Sequence, residues 1–167
     1  NLIGLAANGT NLLGNLGGGI VASNAPRTFV GGPGTGANAR GNYISANRGH
    51  GVAFYGPAVT TNSVVQGNVI GLDQRGQPAG NAGAGVLSEG TDNLIGGGAA
   101  GVRNVISANK ESGVVIAGAA SNRVLGNLIG LDLDGVANRG NGPHGIALVG
   151  STSFTQIGGV QPEERNF

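Results

Sequence analysis

The string Asn104-Val105-Ile106-Ser107-Ala108-Asn109 is nearly that of Asn42-Tyr43-Ile44-Ser45-Ala46-Asn47. A second string, Asn68-Val69-Ile70-Gly71-Leu72-Asp73, returns as Asn127-Leu128-Ile129-Gly130-Leu131-Asp132 and, less its Asp, as Asn1-Leu2-Ile3-Gly4-Leu5. Repetition at this period marks a solenoid, in which each unit buries its apolar face only by stacking on the next.

Three short motifs follow one another around each unit. Asn-x-Ile stands at Asn1, Asn42, Asn68, Asn104 and Asn127 and restarts at Asn166. Gly-Val or Gly-Ile stands at Gly19, Gly51, Gly85, Gly113 and Gly145. Asn/Thr-x-Val/Ile stands at Thr28, Asn62, Asn93, Asn122 and Thr155. Three short strands per turn, separated by Gly and Asn corners, predict an all-β parallel β-helix of about five coils. The coils begin 41, 26, 36, 23 and 39 residues apart, so long and short coils alternate. Two-coil repeats are expected near 1–67, 68–126 and 127–167 of a single β-helix domain spanning 1–167.

Alternation of side chains along a strand sets the register. With Ile106 inward, four inward columns follow: Ile3, Ile44, Ile70, Ile106, Ile129; Ile20, Val52, Val86, Val114, Ile146; Ala22, Phe54, Ser88, Ile116, Leu148; and Val30, Val64, Ile95, Val124, Ile157. Three of the four are wholly Val or Ile, as a buried parallel sheet requires. A one-residue slip turns Arg123 inward. The Asn column Asn1, Asn42, Asn68, Asn104, Asn127 and Asn166 reads as structural, with amides that bond their own corners and one another between coils. At about 4.8 Å per coil the rod core is about 24 Å long. No capping helix is evident, and Asn1 and Asn166 share a column, so the ends are in phase to stack head to tail.

Composition narrows the partners. Of 167 residues, 36 are Gly and 19 are Asn, only 10% are charged, and the net charge is +1. Nine scattered basic residues do not make the phosphate-neutralising cluster that nucleic acid needs. No apolar run approaches the roughly 20 residues of a membrane span. Cysteine is absent, so neither disulfides nor thiolate metal sites can form. The chain begins without Met or a signal peptide and stops inside a repeat, which reads as a mature form or a piece of something longer.

The blocks Gly67-Asn68 to Asp73, Ile95-Gly96-Gly97 and Arg103 to Asn109 resemble the Asn/Gly-rich right-handed parallel β-helix repeats of the pectate-lyase-like superfamily. The likeness covers essentially the whole chain and is closest to the repeats of large bacterial surface and secreted proteins. It implies a right-handed helix and an extracellular or cell-surface bacterial setting. It leaves activity open, since that superfamily includes lyases, hydrolases, epimerases, adhesins and inert stalks.

Few residues suggest chemistry. Gly49-His50-Gly51 resembles the Gly-His-Gly of polygalacturonases, but the other strings those enzymes require are absent and no carboxylate pair about 5–10 Å apart is apparent. The His50 column reads Gly18, His50, Ala84, Ser112, His144, a solvated corner, and His50 and His144 lie three coils, roughly 14 Å, apart. Asp132-Leu133-Asp134-Gly135 resembles the start of a calcium loop. Its counterparts Asp73/Arg75 and Ala6/Asn8 leave at most one weak Ca²⁺ site at Asp132 and Asp134, beside the plain reading of a polar turn. Glu89, at the end of a second strand beside Tyr55 and Ala117, and Asp92, at the next corner between Thr61 and Ser121, form with Tyr55 a small patch for a sugar hydroxyl. Tyr43 and Tyr55 are the only tyrosines and Trp is absent, so there is no extended aromatic platform for a polysaccharide. Gly96-Gly97-Gly98 and Gly31-Gly32-Pro33-Gly34 open no helix and carry no phosphate-binding Lys, which excludes a nucleotide loop.

The outward column Leu2, Tyr43, Val69, Val105, Leu128 is apolar and should not face water bare. Either the inserts that follow it in the long coils, Leu5–Gly14, Leu72–Gly80 and Leu131–Gly140, fold back over it, or it is a lateral interface between rods. The expectation is a non-enzymatic structural or adhesive stalk module, associating with itself head to tail or laterally, with no cofactor beyond that Ca²⁺. The alternative is a carbohydrate-active β-helix, lyase- or hydrolase-like, or a glycan-binding one with polysaccharide as its partner.

Overall fold

A computed structural model describes residues 1–34, 41–56 and 60–167. The first coil carries β1 (Leu2–Ile3), β2 (Ile20–Ser23) and β3 (Phe29–Gly31), and the second β4 (Tyr43–Ile44), β5 (Val52–Tyr55) and β6 (Val64–Gln66). The third carries β7 (Val69–Ile70), β8 (Val86–Ser88) and β9 (Leu94–Gly96), and the fourth β10 (Val105–Ile106), β11 (Val114–Ala117) and β12 (Arg123–Leu125). The fifth carries β13 (Leu128–Ile129), β14 (Ile146–Val149) and β15 (Gln156–Ile157), and a short 3₁₀ turn follows at Pro162–Glu164.

Every third strand pairs in parallel. The first sheet runs β1-β4-β7-β10-β13, the second β2-β5-β8-β11-β14 and the third β3-β6-β9-β12-β15. The fold is an all-β parallel solenoid. Its five strands per sheet are connected by about four turns, so the expected five coils correspond to four full turns between the first strand and the last.

The core is a stack of β-branched and aromatic side chains sealed between the three sheets. Ile44, Ile70, Ile106, Val52, Val86, Val114, Phe54, Ile116, Ile95 and Val124 are buried within it. In the Ile and Val columns the rungs set like on like, as Ile44↔Ile70 and Ile70↔Ile106 show, because straight parallel stacking at about 4.8 Å lets identical side chains nest, whereas the column through Ala22, Phe54, Ser88 and Ile116 is mixed.

One inward column needs correction. In the third sheet Val30 pairs with Val65 and Val65 with Ile95, so Val65, fully buried, takes the place expected for Val64, which is only half-buried. The preceding corner shifts by the same residue. Asn62 adopts a left-handed φ of +56°, as do Asp92 (+56°) and Ser121 (+57°), and Ser63 takes the strand-entry position. The neighbour of Asp92 in the second coil is therefore Asn62 and not Thr61. Asn62-Ser63 and Val64-Val65 are each two similar residues in succession, so alternation cannot choose between the registers. The backbone does so by placing the residue most tolerant of positive φ at the corner.

A second apolar layer lies outside the first sheet. Val69, Val105 and Leu128 of the outward column are buried with Leu72, and Tyr43, Ala108, Leu131 and Leu133 pack against them. The cover comes from the inserts, each an antiparallel hairpin closed by a bridge, Leu5↔Leu12, Leu72↔Pro78 or Leu131↔Asn138. The apolar stripe and the inserts thus cover each other, and Leu2 stays half-buried at the rod's first coil.

The hairpins also explain the alternation of coil lengths. The Gln74 N–H donates to the Gly9 carbonyl at 3.0 Å, so inserts that begin two coils apart already touch. Each insert therefore fills about 9.6 Å of rod height, two rungs, and the coil between has no room for one. In the short coils Ser45 and Ser107 stand where the inserts depart, and their hydroxyls donate to the Leu72 and Leu131 carbonyls at 2.8 and 2.7 Å. Long coils use Gly at both ends of the insert. A Cβ on Gly71 (φ +99°) would stand 1.9 Å from the Ser107 carbonyl oxygen, and one on Gly80 1.8 Å from that of Ala108.

Leu72 is fully buried in this outer layer rather than in the solenoid core. Leu72→Ala is expected to destabilise the fold by about 2–5 kcal/mol, as truncation at a sealed core position does, measured by denaturant unfolding. A change within about 0.5 kcal/mol would show that the inserts do not bury the stripe.

Candidate functional site

The polar interior of the rod is organised as three ladders, one at each corner. Along the first, each Asn side-chain amide donates to the next Asn Oδ1: Asn1 to Asn42 (2.7 Å), Asn42 to Asn68 (2.7 Å), Asn68 to Asn104 (3.1 Å), Asn104 to Asn127 (2.9 Å) and Asn127 to Asn166 (3.0 Å). Asn68, Asn104 and Asn127 are fully buried. The remaining amide protons go to backbone carbonyls, such as Asn104 Nδ2 to Val65 O at 2.8 Å. Buried polar groups in this column are therefore satisfied by their own kind.

A second ladder, Asn15, Asn47, Asn81, Asn109 and Asn141, runs along the corner where the first sheet ends. Here both the backbone N–H and Nδ2 of each Asn donate to the Oδ1 of the next, at 2.8–3.2 Å. Sequence reasoning did not single out this ladder. Its signal was the last Asn of Asn-x-Ile-x-x-Asn in short coils and the Gly-Asn that closes each insert, two patterns that look unrelated until the inserts are removed. The third ladder is mixed: Thr28 N–H to Ser63 Oγ (3.1 Å), Ser63 N–H to Asn93 Oδ1 (2.7 Å) and Asn93 N–H to Asn122 Oδ1 (3.0 Å).

The residues expected to bear chemistry lie outside these ladders and in separate places. Tyr55 and Glu89 are neighbours on the outer face of the second sheet, one rung apart, since Phe54 pairs with Ser88. Glu89 Oε2 accepts the Gly56 N–H at 3.4 Å. Asp92 is exposed at the following corner, in line with Asn62 and Ser121.

Asp132 and Asp134 sit at the third hairpin, in a shallow groove of about 280 Å³ that Arg75, Gly76, Gln77, Leu133 and Arg139 also line. Asp132 Oδ1 accepts the Val136 N–H at 2.8 Å, and Asp73 Oδ1 accepts those of Arg75 and Gln77 at 2.8 Å in the second hairpin. Each aspartate thus closes its hairpin as a side-chain turn. Arg139 donates from Nε to the Gly76 carbonyl (3.4 Å), which ties the second hairpin to the third. Arg75 and Arg139 share the groove wall with Asp132 and Asp134, and Arg75 Nε lies 3.8 Å from Asp73 Oδ2. Among the described residues no three His, Asp or Glu side chains gather as metal ligands do.

His50 Nδ1 accepts the Ala84 N–H at 2.9 Å and lies 4.0 Å from Glu111 Oε2. A ring nitrogen that accepts a backbone N–H carries no proton of its own, so the neutral ring has its proton on Nε2. The imidazole is a corner brace between coils, and His144 is exposed three coils away. Among the described residues no helix is long and apolar enough to cross a membrane. No known protein family, curated protein or solved structure matches the chain.

Two outcomes follow from this geometry. Asn104→Ala orphans the buried Asn68 backbone N–H, which donates to Asn104 Oδ1 at 3.0 Å, and removes the bonds to Asn127 and Val65, so a loss of about 1–3 kcal/mol or more is expected. Asn62→Gly, at an exposed left-handed corner, should cost almost nothing. Chemical denaturation of both variants checks the contrast. The Val136 N–H on Asp132 holds its carboxyl below the ordinary 3.8. That bond therefore supports the third hairpin at neutral pH and is lost as pH falls through the lowered value. Carbon-detected NMR titration should find Asp132 titrating below 3.8, and Asp132→Ala should flatten the acid-side loss of hairpin amide protection.

Proposed function

We propose that this chain is a non-enzymatic structural module, a stiff stalk or adhesive segment of an extracellular bacterial protein that associates with copies of itself. The carrying observation is that the buried amide ladders run the length of the rod and bond coil to coil. Side chains that another protein would use for chemistry are spent here on axial cohesion. The outer layer of touching hairpins adds stiffness along the same axis. The extracellular setting is supported by the absence of cysteine and the sparse charge, together with the likeness to surface-protein repeats.

A second reading keeps Tyr55 and Glu89 as a weak glycan contact, because an aromatic face and a carboxylate lie one rung apart on an open sheet face. A panel of neutral and acidic polysaccharides separates the readings. The structural reading expects no shortening of any polymer and no saturable binding. Release of new reducing ends would overturn it in favour of a hydrolase or lyase. Saturable binding without release, abolished by Glu89→Gln, would establish the glycan contact instead.

A further inference from the structure

At the corner between the first and second sheets, three successive coils meet at one imidazole. His50 belongs to the second coil, Gly83 and Ala84 to the third, and Glu111 to the fourth. The ring leans across the third coil. A Cβ on Gly83 would stand 2.6 Å from Nδ1 and 3.0 Å from Cε1, so the ring fits only because that position has no side chain. Glu111 reaches the same nitrogen from the fourth coil, with Oε2 at 4.0 Å, although the two backbones are two rungs, about 9.6 Å, apart.

Nδ1 thus faces two groups of opposite demand. The Ala84 N–H is a donor and needs the nitrogen bare. The Glu111 carboxylate is an acceptor and bonds it only when it carries a proton. Ala84 is fully buried, so water cannot replace the ring as acceptor for its N–H. Imidazole changes charge between about pH 5 and 8, and the His50 side chain is 24% exposed, enough to exchange a proton with solvent. The other charged residues of this corner are Arg48, two residues before the ring, and Lys110, next to Glu111. Residues 82–84 of the third coil and 16–19 of the first carry no charge.

We propose that His50 is a proton-operated latch. Neutral, it ties the Ala84 corner to the second coil. Charged, it releases that N–H and pairs with Glu111, so its grip passes from the third coil to the fourth. The Ala84 bond is present above the pH at which the ring charges and lost below it. The rod itself survives the change, because the amides of Asn47, Asn81 and Asn109 that hold the same corner do not titrate. Acid therefore loosens one corner of a fold whose other corners stay closed.

Amide hydrogen exchange read by NMR at about pH 8 and about pH 5, corrected for intrinsic rates, tests the latch. Ala84 protection should fall about tenfold on acidification, the scale of one lost hydrogen bond. Ala82 and Val86, whose N–H groups bond to the Asn47 and Gly113 carbonyls, should be unchanged. Ring nitrogen shifts should place the proton on Nε2 alone at the higher pH and on both nitrogens at the lower. The nuclear Overhauser contact between the ring and the Glu111 side chain should strengthen in acid. His50→Asn sets an amide oxygen where Nδ1 stands and takes up no proton, so it should keep Ala84 protected at both pH values. Circular dichroism melting confirms that this variant folds. Ala84 protection that ignores pH, a proton on Nδ1 at the higher pH, a Glu111 contact that does not strengthen in acid, or a His50→Asn chain as pH-sensitive as the parent overturns the proposal.

Discussion

A coil of this protein is held by what lies above and below it. Its backbone bonds are parallel ladders to neighbouring coils, its apolar side chains nest in columns, and its corner amides bond forward to the same corner one rung on. Within a coil the strands are only two to four residues long and pair with no other strand of that coil. A single coil therefore has almost nothing of its own to fold against, and stability resides in the contacts between coils. The axial repeat of about 4.8 Å is the constraint on which everything else depends. It selects β-branched residues for the columns, small or left-handed residues for the corners, and Asn where an amide must both give and receive at that spacing.

The outer hairpin layer answers to the same constraint at twice the period. A hairpin is two rungs tall, so it can occur only in every second coil, and the short coils between supply Tyr43 and Val105 to the layer and Ser45 and Ser107 to its anchorage. Irregular coil length is thus the sign of two stacked periodic structures that share one wall.

Much of this was legible in the residues. The inward columns around Ile44, Ile70 and Ile106 followed from period-two alternation once the repeat was aligned. The first Asn column was visible because it opens every unit. The apolar outer stripe posed its own question, with burial under the inserts as one of two answers. What alternation could not resolve was the third sheet of the second coil, where Asn62-Ser63-Val64-Val65 reads equally well in either register and only the left-handed corner decides. The second Asn ladder was hidden because inserts of unequal length separate its members from the motif that begins each coil. The candidate chemical residues were legible only as types. Placed on the rod, Asp132 and Asp73 become hairpin closures and His50 becomes a brace, because each side chain meets a backbone N–H before it meets anything else.

Because adjacent hairpins touch, the rod keeps its outer layer continuous only when it gains or loses coils in pairs. Loss of one coil would bring two hairpins onto neighbouring rungs, and gain of one would open a gap over the stripe. Unequal recombination between such repeats is thus filtered by packing. Genes for rods of this kind should differ in length by whole two-coil units, whatever selection acts on the length itself.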